Sequence, residues 1–145
     1  MRRTWKMICA SMLVAVCIAA CQAATGGQSG ALRKGQGVYF VQPQDGAVFE
    51  DHKVKIVMGV KGKTIRPAGE IIPGTGHHHL IINSDPEGRG ETMGRSRQTI
   101  HYGNGETSAV ISLPTGKHQL TLQFANGLHV SYGKDWRHTI EITVK

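Results

Sequence analysis

Eight histidines stand in a chain of 145 residues, and three of them are consecutive: His77-His78-His79. His101, His118 and His129 follow, each within two residues of a glycine: Gly103, Gly116 and Gly127. Neutral imidazole suits Zn²⁺, Cu²⁺ or Ni²⁺. A closed structural zinc site takes four ligands, and an open one keeps three and a water. On a strand, residues two apart share a face at roughly 7 Å, close enough for two imidazoles to bend towards one ion. The expected trio is therefore His77, His79 and His101, with His118 or His129 as a fourth ligand. A plainer account competes with this one. His118 shares its face with Leu120, Leu122 and Phe124, as a core-edge histidine bonded to a backbone carbonyl would. His77 to His79 would then be a hydrogen-bonded strand start. His52 and His138 lie outside these motifs and read as surface residues. Beyond residue 20 the methionines are Met58 and Met93, which form no Met-rich Cu(I) motif.

The elements that must position these rings are short strands. Gly74-Thr75-Gly76 running into His77-His78-His79-Leu80-Ile81-Ile82 predicts a loop entering a strand that ends near Asn83. Alternation puts His77, His79 and Ile81 on one face and His78, Leu80 and Ile82 on the other. Further strands are expected over Val38–Val41, Val54–Val60, Thr99–Tyr102, Ser108–Leu113, Lys117–Phe124 and Thr139–Val144. Lys61 to Gly76 reads as a connection, and Ser84 to Arg97 as a long polar loop, mobile or functional. Seven short strands at regular spacing, with no amphipathic helix, predict an all-β, antiparallel, immunoglobulin-like β-sandwich. Strand ends gather at the two poles of such a sandwich. Turn-flanked histidines from several strands are expected to converge at one pole.

The N-terminus predicts export. Met1-Arg2-Arg3-Thr4-Trp5-Lys6 is basic, and Met7 to Ala20 is apolar but short for a membrane span. The segment ends Ile18-Ala19-Ala20-Cys21, which is similar to the lipobox of a bacterial lipoprotein signal peptide. Residues 1–20 are then a signal peptide, 21–36 a lipidated flexible tether beginning at Cys21, and 37–145 the folded domain. Gln22 after the cysteine is expected to sort the protein to the outer membrane, anchored on its periplasmic side. Cys9 and Cys17 leave with the signal and Cys21 takes the lipid, so no thiol remains for a disulfide, a metal or a nucleophilic attack. Cleavage also removes three of the 17 basic residues, leaving 14 against 10 acids, a mild positive balance. That suits anionic lipid or cell-wall polymer and is no nucleic-acid signature.

A set of ordered motifs carries a resemblance. These are Val38-Tyr39-Phe40 with Pro43-x-Asp45-Gly46-Ala47, Pro67-Ala68-Gly69, Gly76-His77-His78-His79-Leu80, and Ile100-His101-Tyr102-Gly103 with Gly105-x-Thr107. Leu113-Pro114-x-Gly116-Lys117-His118-x-Leu120 and the late His129 complete them. From about Val38 to the C-terminus the chain resembles DUF4399, an uncharacterised family of bacterial envelope proteins. The resemblance implies a fold and a compartment more than an activity. It also implies Asp after the histidine strand and Gly-Asp before the late histidine, where this chain has Asn83 and Ala125-Asn126. If those acids help hold a cation, the site here rests on imidazoles alone.

Three function classes follow. The first is a lipid-anchored envelope protein binding Zn or Cu through clustered histidines. The second is an interaction module that docks an envelope protein or glycan through its loops. Arg89, Arg95 and Arg97 would suit an anionic partner, and an aromatic patch is expected near Tyr132 and Trp136. The third is an enzyme. No G-x-S-x-G elbow, free cysteine or phosphate loop occurs, and nothing distinguishes Glu70 or Glu106, the acids nearest the histidine motifs.

Overall fold

The computed structural model describes residues 36–145. The expected signal segment, Cys21 and nearly all of the tether lie outside them. The described residues form nine strands and one 3-10 turn. The strands are β1 (Gly37–Gln42), β2 (Val48–Phe49), β3 (Lys53–Lys61), β4 (Thr64–Ile65), β5 (Thr75–Ile82), β6 (Thr99–Tyr102), β7 (Ser108–Ser112), β8 (Gly116–Ala125) and β9 (Arg137–Val144). The 3-10 turn, Lys134–Trp136, leads into β9. β1, β3 and β7 make a three-stranded sheet. The larger sheet runs β2-β9-β8-β5-β4, with β6 also paired to β5. The two sheets enclose one apolar core, a β-sandwich as the strand periodicity predicts.

The core follows from alternation. Val54, Ile56 and Met58 of β3 face Leu120, Leu122 and Phe124 of β8 and Ile140, Ile142 and Val144 of β9. All are buried, with Val54, Ile56, Leu120, Leu122 and Phe124 at 0% exposure. Two elements were not legible in the sequence: β2 and β4 are two residues each, too short to show a period, and both pair in parallel. β4 lies inside the stretch expected to be a plain connection.

β5 departs from the one-face-in pattern. All of its residues but Ile82 are buried. Its inner face, with His78 and Leu80, meets the sandwich core, where the His78 ring stands edge-on to Phe124 at 5.1 Å. Its outer face is covered by residues 83–98 and 126–133, which fold back over the sheet. Met93 packs there against Ile81 and Ala125 in a second small apolar cluster. The covering loop is pinned rather than free. Fully buried Gln123 donates to Glu87 O at 2.6 Å and to Ser131 Oγ at 2.7 Å, and accepts from Glu87 N at 3.1 Å. Residues Thr92 and Val130 form a β-bridge, and Met93 N donates to His129 O at 2.8 Å.

Candidate metal centre

Register brings the first three imidazoles together. His77 and His79 stand two apart on the outer face of β5. β6 lies antiparallel beside it with His101 directly opposite His79. Directly paired residues point to the same side of a sheet, so His101 joins the same face. Its ring folds over Gly103, where a Cβ would stand 2.5 Å from His101 Nε2.

His129 arrives from the loop after β8. The turn is closed by His129 N donating to Asn126 O at 2.9 Å. The Asn126 side-chain oxygen accepts from Leu128 N and Val130 N, both at 3.0 Å. Inside this turn His129 takes φ 65°, a left-handed conformation that a non-glycine residue adopts at some cost. The loop is seated on the β4–β5 connection by Gly127, whose O accepts from Gly69 N at 2.9 Å and whose missing side chain would overlap Glu70 O.

One ring nitrogen from each of His77, His101 and His129 lies within 4.8 Å of the others, so the triad can hold a metal ion. His77 and His101 Nε2 are 3.1 Å apart, and His101 and His129 Nε2 are 3.0 Å apart. His79 joins through His77, Nε2 to Nε2 at 3.0 Å, while its ring centroid is 5.8 Å from that of His129. An ion with tetrahedral bonds of about 2.0–2.1 Å separates its donors by about 3.3 Å, close to these contacts. Burial lowers His77 to about 4, helped by the neighbouring His101 and His129 and opposed by Glu106. Burial lowers His79 to about 3, with all four nearby rings adding to the effect. His101 is lowered by burial, then by His129 and Arg95, and Glu106 again opposes. The uncharged imidazole is the ligand form. Nδ1 of His77 and of His79 is buried with no hydrogen-bond partner.

His118, expected among the ligands, lies elsewhere. It faces the core side of β8, where its Nε2 meets Pro114 O at 2.8 Å and its Nδ1 meets Asn83 Nδ2 at 3.0 Å. Asn83 Oδ1 accepts from Gln119 N, which turns the amide nitrogen towards the ring. His118 therefore carries its proton on Nε2 and donates it to Pro114 O. Both ring nitrogens are engaged, as the core-edge account predicts. His77 pairs with Ala125, the last residue of β8, and His101 is next to the last residue of β6, so the centre lies on the outer face of the sheet near one end of these strands. His52 is exposed, with Nδ1 2.9 Å from Leu113 O. His138, expected at the surface, is half-buried and accepts from Phe40 N at 3.3 Å.

At the two places where the resemblance implies acids, the amides Asn83 and Asn126 make structural bonds. Asn83 serves His118 and Gln119, and Asn126 shapes the His129 turn. Glu106 does act on the cluster: it is the carboxylate whose charge favours protonated His77 and His101. It is oriented by Asn104, whose N and Nδ2 each donate to it at 2.9 Å. Sequence reasoning missed Asn126, Gly103 and Gln123 as supports. The Asn-Gly pair at 126–127 was a readable turn signal, whereas Gln123 carried none.

Residues 56–145 match a family described as "Domain of unknown function (DUF4399)". No curated protein and no solved structure matches the chain.

Proposed function

This chain belongs to the DUF4399 family, and on that footing we propose that it binds a transition-metal ion through His77, His101, His129 and His79. One observation carries this reading. Each Nε2 offers either one proton or one lone pair, and so takes part in one hydrogen bond. His77 and His101 each face two neighbours, so the three contacts in the row His79–His77–His101–His129 cannot all be hydrogen bonds. A cation that accepts lone pairs from all these atoms removes the conflict. The donor set is nitrogen alone, with no thiolate and no carboxylate among the converging atoms, which suits Zn²⁺ or Cu²⁺. His101 and His129 are half-buried while His77 and His79 are buried, so an ion would be reached from the loop side.

The binding domain is read as tethered to the bacterial outer membrane through lipid on Cys21. That part rests on the basic start, the short apolar run and Ile18-Ala19-Ala20-Cys21. Cys21→Ser should move the protein from the membrane fraction to the soluble periplasmic fraction, and persistence in the membrane would refute the anchor.

The deciding experiment is calorimetry of the untagged chain from Gln22 with Zn²⁺, Cu²⁺ and Ni²⁺. One ion per chain at micromolar affinity or tighter is expected, abolished in the double variant His77→Ala/His101→Ala. Weak, non-saturating heats, or binding that survives the double change, would overturn the proposal.

A further inference from the structure

A second feature lies away from the imidazoles. Gly88 and Arg89 of the covering loop, Tyr132, and Lys134, Asp135 and Arg137 before and at the start of β9 line a cavity of about 310 Å³. The two groups, 88–89 and 132–137, are distant in sequence and are brought together where the covering loop folds back. Two backbone bonds zip that loop to the segment beneath: Gly90 N to Ser131 O at 3.0 Å and Ser131 N to Glu91 O at 2.8 Å. Gly133 allows the close approach, since a Cβ there would stand 2.6 Å from Arg89 Cβ. The buried Gln123 holds Glu87, two residues before Arg89. The guanidinium of Arg89 is thus carried on a fixed backbone.

The charge of the cavity is one-sided. Arg89, Lys134 and Arg137 line it with a single carboxylate, Asp135, which has interactions of its own. A fourth cation, Lys63, lies 3.9 Å over the Tyr132 ring and 4.6 Å from the Trp136 ring centre. Lys63 is pushed below its ordinary pKa by burial and then by the charge of Arg89. Of the loop arginines Arg89, Arg95 and Arg97, Arg89 lines this cavity, beside Tyr132.

We propose that this cavity binds a phosphate monoester carried on a small organic group. The net excess of positive lining charge matches a group bearing about −1.5 to −2 at neutral pH better than it matches a monovalent carboxylate. Guanidinium forks pair with phosphate oxygens bidentately. The volume is at the lower end of small-ligand sites, which begin near 300 Å³, and exceeds what a bare phosphate needs. The phosphate belongs either to a soluble sugar or polyol phosphate or to a lipid headgroup.

The test is titration of the untagged chain from Gln22, kept in chelator so that metal binding plays no part. The probes are glycerol phosphate, glucose phosphate, inorganic phosphate, and vesicles carrying phosphatidic acid, with glucose and acetate as controls. Saturable one-to-one binding of a phosphomonoester is expected, weakened at least ten-fold in Arg89→Ala/Arg137→Ala and reduced by added salt. Binding of glycerol phosphate or glucose phosphate would identify a soluble source, and binding confined to the vesicles a membrane source. Arg89→Lys/Arg137→Lys keeps the charge and should retain part of the affinity. Equal binding of glucose or acetate, saturation by no phosphate ester, or an unchanged affinity in the folded alanine variant would each overturn the proposal. So would binding of inorganic phosphate as tight as that of its esters. The result is independent of whether the histidines take a metal.

Discussion

Gly103 lies beneath the imidazole of His101, close enough that any side chain at 103 would occupy the space of the ring. Two residues after His101 the chain therefore has no side chain, and the ring can lie back over the sheet towards His77. Gly103→Ala should displace His101 without removing it. Metal affinity should fall at least ten-fold while the fold, read by circular dichroism, persists. An unchanged affinity would show that His101 is not held in this rotamer when it binds.

Asn126 is a positioning residue for His129. Its side chain bonds two backbone N–H groups of the turn that keeps His129 at φ 65°. Asn126→Ala should lower metal affinity several-fold and stability by about 1 kcal/mol. Asn126→Asp keeps both acceptors and should retain the stability and most of the affinity.

His118 separates pattern from site. Replacing it by alanine removes the bonds to the Asn83 amide and Pro114 O, whose residues are exposed, at a cost of about 1–2 kcal/mol. The metal stoichiometry and affinity should be unchanged. A lost metal site in His118→Ala, with the protein still folded, would mean that the ring leaves this pocket to join the others.

Gln123→Leu should loosen the loop above the centre. Three bonds to Glu87 and Ser131 would be lost, and buried partners would remain. A destabilisation of about 1–3 kcal/mol is expected. Amide exchange should accelerate from Glu87 to Met93 ahead of the core strands. Exchange that rises uniformly would show that the loop opens only with the whole domain.

The histidines also give the chelated domain a pH dependence with a definite sign. In the folded chain burial holds His77 at about 4 and His79 at about 3, while unfolded histidines titrate near 6.5. Between those values the unfolded chain binds more protons, so stability rises with pH. The melting temperature should be flat above about pH 7 and decline as pH falls from about 6.5 towards 4. A flat profile through that interval would show that the rings are solvated in the folded state.

Much of the scaffold was legible because alternation is local. Val54, Ile56 and Met58, or Ile140, Ile142 and Val144, reveal a buried face through their spacing alone. β2 and β4 escaped because a two-residue strand has no period. The covering loop read as polar and unstructured because its anchors, Gln123 and Ser131, lie far along the chain.

The same division runs through the centre. That His77 and His79 share a face follows from local geometry, since side chains two apart on a strand point the same way. The rest depended on how distant strands pair. The register of β6 on β5 set His101 opposite His79, and the turn at Asn126 delivered His129 from 50 residues beyond. The direction in which β8 faces turned His118 away to the core. Imidazole is at home against both apolar and polar neighbours, so histidine spacing marks candidates, and the pairing of distant strands selects among them.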